Sequence, residues 1–368
     1  MFSRLNSHFV CPPAKAAVAA GLLLASAGAA LAQSSVTLFG AVDLGVRHVK
    51  NSKGSLTSMN SGNNATSRWG LRGEEDLGGG LKTSFWLEST VAADTGVGGT
   101  GATFWDRRAT LSLSGNFGEL RLGRDYTPLF RAYTSADTFG YVGAAGMGML
   151  YSSTASNVVS RAFGAASTNT SIARTNNAIQ YYTPAGLGGF YANAMISGRE
   201  AGTAAGDFSF HGLRVGYSDK SNDVSVYSGK TNLSTSDSDF TLQGVVGTTK
   251  WNDVKITAGL AQMRFMNAKQ SNFSLGAEWP VGQGAIRAIY HRINQSGLTA
   301  ANVSVDGDDV NALGLGYVHN LSKRTAVYGT TMFVSNKGNA KFVVPGGASG
   351  IAGGSSSRGY EVGLRHIF

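Results

Sequence analysis

From Val36 onward, hydrophobic and polar positions alternate with a period of two. Val36, Leu38, Gly40, Val42, Leu44 and Val46 share one face, and Thr37, Phe39, Ala41, Asp43 and Arg47 share the other. This is the pattern of a strand with one apolar and one wetter side. It returns along the whole chain. Leu81, Thr83, Phe85, Leu87 and Val91 alternate with Lys82, Ser84, Trp86, Glu88 and Thr90, and Ala109, Leu111 and Leu113 alternate with Arg108, Thr110, Ser112 and Ser114. Similar runs follow at 213–217, 240–244, 254–260, 273–279, 286–290, 313–317 and 360–368. The connections are of two kinds that take turns. Tight turns rich in glycine or asparagine lie at 75–79, 115–118, 184–189, 218–223, 251–253, 280–284 and 320–324, whereas 50–66, 92–103, 295–308 and 335–357 are long, polar and irregular.

Composition decides what kind of sheet this is. Only 14% of the 368 residues are charged, against roughly 25% in soluble globular proteins. A helical membrane protein needs repeated apolar runs of about 20 residues, and beyond the N-terminus none approaches that. The 51 glycines also weigh against helix, where glycine is disfavoured. A soluble β-sandwich would alternate too, but it would bury its apolar face and draw on more Val, Ile and Leu. In lipid the apolar face points outward and the polar face lines water, which accounts for a mean hydropathy of −0.05. Closure is required, because an open edge in hydrocarbon leaves backbone groups unsatisfied. The expected fold is all-β: an antiparallel transmembrane β-barrel of about 16 strands, with short turns at one end and long loops at the other.

The one long apolar run, 16–32, follows Arg4 and Lys15 and ends in Ala30-Leu31-Ala32. That order predicts a secretory signal peptide over 1–32, with the barrel domain occupying 33–368. Cys11, the single cysteine, would leave with the leader, and with it any thiol or disulfide chemistry. Arg4 and Lys15 contribute to the formal charge of +9 and would leave as well.

One connection is too long for a simple loop. From 125 to 173 about 50 residues pass without a convincing strand, and segments of that size in compact proteins are functional or disordered. This one carries Tyr126, Leu129, Phe130, Tyr133, Phe139, Tyr141, Met147, Met149, Leu150, Tyr151 and Phe163, too apolar for disorder. The inner barrel wall is the surface on which it can pack, so it is expected to fold into the lumen and narrow it. An external cap is the alternative.

At this point the sequence resembles the 16-stranded trimeric general diffusion porins of Gram-negative outer membranes. Ser67-Arg68-Trp69-Gly70-Leu71-Arg72-Gly73-Glu74-Glu75-Asp76-Leu77-Gly78-Gly79-Gly80 is similar to that family's second strand and first turn. Arg107-Arg108-Ala109-Thr110-Leu111-Ser112-Leu113, with Gly118 and Leu122-Gly123-Arg124, resembles the strands leading into its constriction loop. Asn177 to Pro184 resembles the strand leaving that loop, and Leu321 to Thr325 with Tyr328 a late turn. The resemblance runs from Gln33 to Phe368. It implies an outer-membrane homotrimer with lipid around it, passing small hydrophilic solutes and inorganic ions without a cofactor. The C-terminal Phe368 resembles the signal read by the barrel assembly machinery, and Tyr360 and Phe368 also suit an aromatic girdle.

The family's pore narrows where wall arginines face acids on the inserted loop. Motif by motif, these arginines fall on Arg68, Arg107 and Arg174. Alternation agrees at Arg68, because Trp69 and Leu71 take the apolar face. At the next position it conflicts: Ala109, Leu111 and Leu113 put Arg107 on the outward face unless a bulge intervenes, and Arg108 is its rival. The other reading is that these arginines only hold interior salt bridges. The family's Pro-Glu-Phe-Gly stretch appears here as Asp137-Thr138-Phe139-Gly140, with Asp137 as a partial substitute for the glutamate. Only Asp125 and Asp137 are acidic between 125 and 173, against Arg131 and Arg161. A net positive constriction, focused by low-dielectric walls, would favour anions.

Other functions fit poorly. His48, His211, His291, His319 and His366 are scattered, with no pair at metal-ligand spacing and no G-x-S-x-G, so no catalytic or metal site is expected. No cluster of Lys and Arg with interleaved aromatics suggests nucleic acid. The rivals to a general channel are a substrate-specific channel for a sugar or organic acid, and a barrel serving adhesion or structure.

Overall fold

The computed structural model describes residues 35–99, 103–151, 157–163, 172–198, 209–233 and 239–368; the expected leader, 1–32, lies outside them. The strands are β1 Ser35–Asn51, β2 Gly54–Ser61, β3 Arg68–Gly78, β4 Leu81–Ala92, β5 Val97–Gly98, β6 Arg108–Gly115, β7 Gly118–Tyr126, β8 Arg174–Tyr182 and β9 Phe190–Ser197. There follow β10 Ser209–Ser218, β11 Asn222–Asn232, β12 Asp239–Trp251, β13 Val254–Phe265, β14 Ala268–Val281, β15 Gly284–Gly297, β16 Val310–Asn320, β17 Thr325–Asn336 and β18 Ser357–Ile367. Neighbours pair antiparallel, and β18 returns to β1 in a register running from Ala41↔Ile367 to Asn51↔Ser357. Phe368 extends that seam by exchanging backbone hydrogen bonds with Gly40 at 3.0 and 3.1 Å. β2 and β3 both pair with β1 on either side of a break, and the two-residue β5 belongs to a loop, so the closed wall has 16 strands.

The outward face carries the predicted apolar positions. Val36, Leu38, Val42 and Val46 of β1 are exposed, as are Leu111 and Leu113 of β6 and Tyr360, Val362 and Leu364 of β18. Among the described residues no helix is long and apolar enough to cross a membrane; the strands provide the apolar surface.

The stretch 50–66, expected as an irregular loop, contains the strand β2. Each face of β2 carries a single apolar residue, Met59 on one and Leu56 on the other, so no alternation marks it. The break that follows, at 62–67, is held by Asp43, whose carboxylate accepts the backbone N–H groups of Asn64 (2.7 Å) and Ala65 (2.6 Å).

The described parts of the segment between β7 and β8 lie inside the barrel. They form α1 Pro128–Tyr133, a 3₁₀ turn Thr134–Ala136, α2 Gly148–Tyr151 and α3 Val158–Phe163. Thr127 caps α1, its hydroxyl accepting from the Phe130 N–H with Pro128 in the first turn. The same hydroxyl donates to the carbonyl of Ile172 at 2.6 Å, clipping entry and exit together. The segment then travels along the inner wall. Thr257 of β13 donates to the Ala136 carbonyl (2.9 Å), Thr138 donates to the Ala288 carbonyl on β15 (3.1 Å), and the Ala144 N–H reaches Glu361 of β18 (3.0 Å).

The hydrophobic core is this contact. Leu129, Tyr133, Phe139, Met149, Leu150 and Phe163 pack against Met195, Phe210, Leu242, Met263, Ile289 and Met332, all buried on the wall from β9 to β17. On that arc the inner face mixes these apolar residues with buried polar ones such as Thr257, Gln270 and His291, whereas the arc from β1 to β8 keeps a mainly polar interior. Wall glycines let the segment approach. A Cβ on Gly276 would lie 2.8 Å from Thr138 Cγ2, and one on Gly314 would lie 2.7 Å from the Ala145 Cβ.

Filling that track should displace the segment. Gly314→Val is expected to lower stability by about 1–3 kcal/mol, the usual cost of overpacking, read as a lower thermal unfolding midpoint in detergent. Gly98→Ala, at a site with no atom within 4 Å of the added carbon, should leave the midpoint unchanged.

Candidate functional site

Strand register places most of the charged side chains on one inner face. Arg68 and Arg72 of β3 sit opposite Ala41 and Thr37 of β1, away from the outward-facing Leu38, so both point inward. Across the next pair, Arg68, Gly70 and Arg72 oppose Thr90, Glu88 and Trp86 of β4. Glu88 in turn opposes Arg108 of β6.

The rivalry between Arg107 and Arg108 ends with both inside. Arg107, just before β6, donates its backbone N–H to the Glu88 carbonyl, so two consecutive residues share one partner. Its guanidinium is ion-paired with the Glu88 carboxylate, while that of Arg108 lies 4.5 Å from the Trp86 ring centroid. An irregularity of this bulge type is what strict alternation could not foresee.

Two buried acids organise the cluster. Glu88 takes Arg107, has Arg68 at 3.5 Å and accepts from the Trp86 indole at 3.0 Å. Asp125 at the end of β7 accepts Arg121 at 2.6 Å and Arg131 of α1 at 3.0 Å on each oxygen, with Arg108 at 3.6 Å. Arg131 thereby ties the inserted segment to the wall. Tyr126 joins the two groups, its hydroxyl accepting from Arg107 at 2.5 Å and Arg174 at 2.6 Å and its backbone N–H donating to Asp125 at 2.7 Å. Arg174 also donates to the Arg107 carbonyl and rests 4.2 Å from the Tyr126 ring centroid. Arg68, Arg107, Arg108 and Arg174 are thus one connected network.

Asp137 is not part of it. Its carboxylate accepts the backbone N–H groups of Phe139 (2.8 Å), Tyr141 (2.7 Å) and Met147 (2.6 Å), which folds the segment back on itself. Burial pushes its pKa above the ordinary carboxylate value, and those three donors work against the rise. The expectation that it faces the wall arginines is corrected: its oxygens are used up by its own loop.

Arg72, Arg121, Arg131, Glu88, Asp125 and Tyr126 were not singled out as site residues from the sequence. Period two could have found two of them, since Arg72 shares the face of Arg68 and Arg121 alternates with the outward Leu120 and Leu122. Arg72 lies over the Trp86 ring at 5.1 Å and Arg121 over Tyr182 at 4.5 Å.

In two of these pairs the cation is the more exposed partner. Asp125 is fully buried while Arg131 keeps 31% of its side chain exposed, and Glu88 keeps 8% against 33% for Arg68. Asp43 and Glu361, further round the inner wall, are also buried; the first takes Tyr328 and two backbone N–H groups, the second Arg47 and the Ala144 N–H. Among the described residues there is no group of three His, Cys, Asp or Glu able to hold a metal.

The sequence matches the Gram-negative porin family over residues 16–339. It is 38% identical to outer membrane porin protein 32 of Delftia acidovorans, with 94% of this chain and 97% of that one aligned. Among solved structures, an anion-selective porin from Comamonas acidovorans superposes with a TM-score of 0.78 at 36% identity, covering 91% of this chain and all of the other. OmpT of Vibrio cholerae, at 14% identity and a TM-score of 0.64 over 91% of this chain and 98% of its own, shares the fold.

Removing the central acid tests the network. Asp125→Asn leaves three guanidiniums facing one another and is expected to cost about 3–5 kcal/mol, as for other broken buried ion pairs, measured by denaturant unfolding of the folded barrel.

Proposed function

The chain belongs to the Gram-negative porin family, passive diffusion channels of the outer membrane, and on that premise we propose that its inner arginines make the passage favour anions. The observation that carries this reading is the asymmetry at the two acids of the network: Glu88 and Asp125 are buried and paired, and the charge left facing water beside them is that of Arg68 and Arg131. Arg68, Arg107, Arg108 and Arg174 form the constriction in this reading, and Arg72, Arg121 and Arg131 extend it. Asp137 supports the loop instead of balancing the arginines. An anion entering a narrow, low-dielectric passage meets a positive field, yet several partly neutralised arginines in series hold it too weakly to trap it. The relative from Comamonas acidovorans is described as anion-selective, which supports the assignment.

Several further elements belong to this proposal. Residues 1–32 act as the export leader, three copies assemble into a trimer, and Phe368 presents the assembly signal. No catalytic step, metal or cofactor is part of it. The solutes are small, hydrophilic and preferentially negative. A channel specific for one sugar or organic acid would differ in showing block of single-channel current by that solute.

In a planar bilayer under a KCl gradient, the reversal potential should take the sign set by chloride; a cation-selective wild type overturns the arginine reading. Arg174→Glu exchanges one half-buried positive charge for a negative one and should move the reversal potential towards that of potassium. An unchanged value would place Arg174 outside the conducting path.

A further inference from the structure

The outward face above the apolar belt of β11 to β15 is not uniformly apolar. Pairing register resolves it into three rows that cross the strands. The first is Val226, Val245, Leu260 and Phe273, each directly opposite the next. Two residues nearer the long-loop end comes Ser228, Gln243, Gln262, Ser271 and Asn294. Two residues beyond that comes Lys230, Thr241, Arg264 and Lys269. Arg292, opposite Phe273, reaches towards the middle row and donates to Asn294 at 3.0 Å.

The last row is electrostatically unfinished. Arg264 and Lys269 oppose each other across β13 and β14, and like charges in that position repel. Lys230 is ion-paired with Asp239, but among the described residues no carboxylate lies within ion-pair distance of Arg264, Lys269 or Arg292. Arg264 donates only to its neighbour Gln262, at 2.9 Å. Two grooves run between these side chains. One of about 630 Å³ is lined by Gln243, Leu260, Gln262, Phe273, Arg292 and Asn294. The other, of about 600 Å³, is lined by His211, Leu213, Lys230, Gln243, Gln262 and Arg264.

From these rows we infer that this face holds a phosphorylated lipid of the outer leaflet. The order of chemistry along the barrel is the order along such a molecule. Acyl chains lie on Leu213, Val226, Val245 and Leu260. The amide and hydroxyl row meets the carbonyl and sugar or glycerol zone. Phosphate oxygens sit among Arg264, Lys269 and Arg292, relieving the repulsion between the opposed pair. The long-loop end of such barrels is extracellular, which places the site in the outer leaflet.

The test uses the folded barrel in zwitterionic detergent, followed by native mass spectrometry. Three probes are titrated: a bisphosphorylated acylated disaccharide lipid, the same lipid with its phosphates removed, and phosphatidylcholine. The first should be retained and the other two should not. Arg264→Gln with Lys269→Gln and Arg292→Gln should weaken retention about 100-fold, taking each cation near the surface as roughly a factor of five. The charge-retaining Arg264→Lys with Arg292→Lys should keep it, and Lys269→Gln alone should lose about fivefold. Single-channel conductance of these variants should equal that of wild type, since the side chains face away from the lumen; this readout is independent of the anion-selectivity reading. Equal retention of the dephosphorylated lipid overturns the inference. So does undiminished binding by the neutral variants, or a change in oligomeric state with lipid retention intact, which would assign the face to a second copy.

Discussion

The apolar seam between the inserted segment and the inner wall is the contact on which the rest of the molecule depends. Leu129, Tyr133, Phe139, Met149 and Leu150 cannot remain in water, and the inner surface from β9 to β17 is dry enough to receive them. Once that half of the lumen is filled, the passage is left to the opposite arc, where β3, β6, β7 and β8 present arginines. The seam also fixes α1, and α1 carries Arg131 to Asp125. Packing and charge are therefore coupled: the segment that narrows the barrel also brings one of the guanidiniums.

Charge placement then follows from desolvation. A carboxylate removed from water needs compensating partners, and each inner acid has them: Glu88 and Asp125 from arginines, Asp43 and Asp137 largely from backbone N–H groups, Glu361 from Arg47 and a backbone N–H. Arginine behaves differently. Its long stem and planar head can pair on one edge and stay wet on the other, as Arg68 and Arg131 do. Around Glu88 and Asp125 the acids are buried more deeply than Arg68 and Arg131, so the water there meets the positive partners first. Counting residues between 125 and 173 leads to the same proposed sign for a partly different reason. The scarcity of acids matters less than the burial of those present.

The strand pattern was legible because a barrel wall in lipid imposes it: one face must be apolar, and period two follows at every strand that crosses. It failed where that pressure stops. β2 has only Met59 on one face and Leu56 on the other among polar residues, so it reads as loop. Arg107 and Arg108 sit at a strand end, where two residues share Glu88 and alternation loses its phase. On the arc from β9 to β17 the inner face carries apolar residues such as Met195, Leu242 and Met263 among its polar ones, a departure from the expected polar interior that the seated segment explains.

By itself the sequence determined the architecture, since closure, strand direction, the alternation of faces and the presence of one long apolar insertion are all local or periodic properties. It also pointed to Arg68 and Arg174 through motif position. What only the tertiary structure decided is which side chains meet. Asp137 and Asp125 are both acids near the same segment, yet the first closes a turn within its own loop and the second gathers arginines from two wall strands and α1. That outcome depends on where the segment comes to rest against the wall, a non-local packing result that no pattern along the chain encodes.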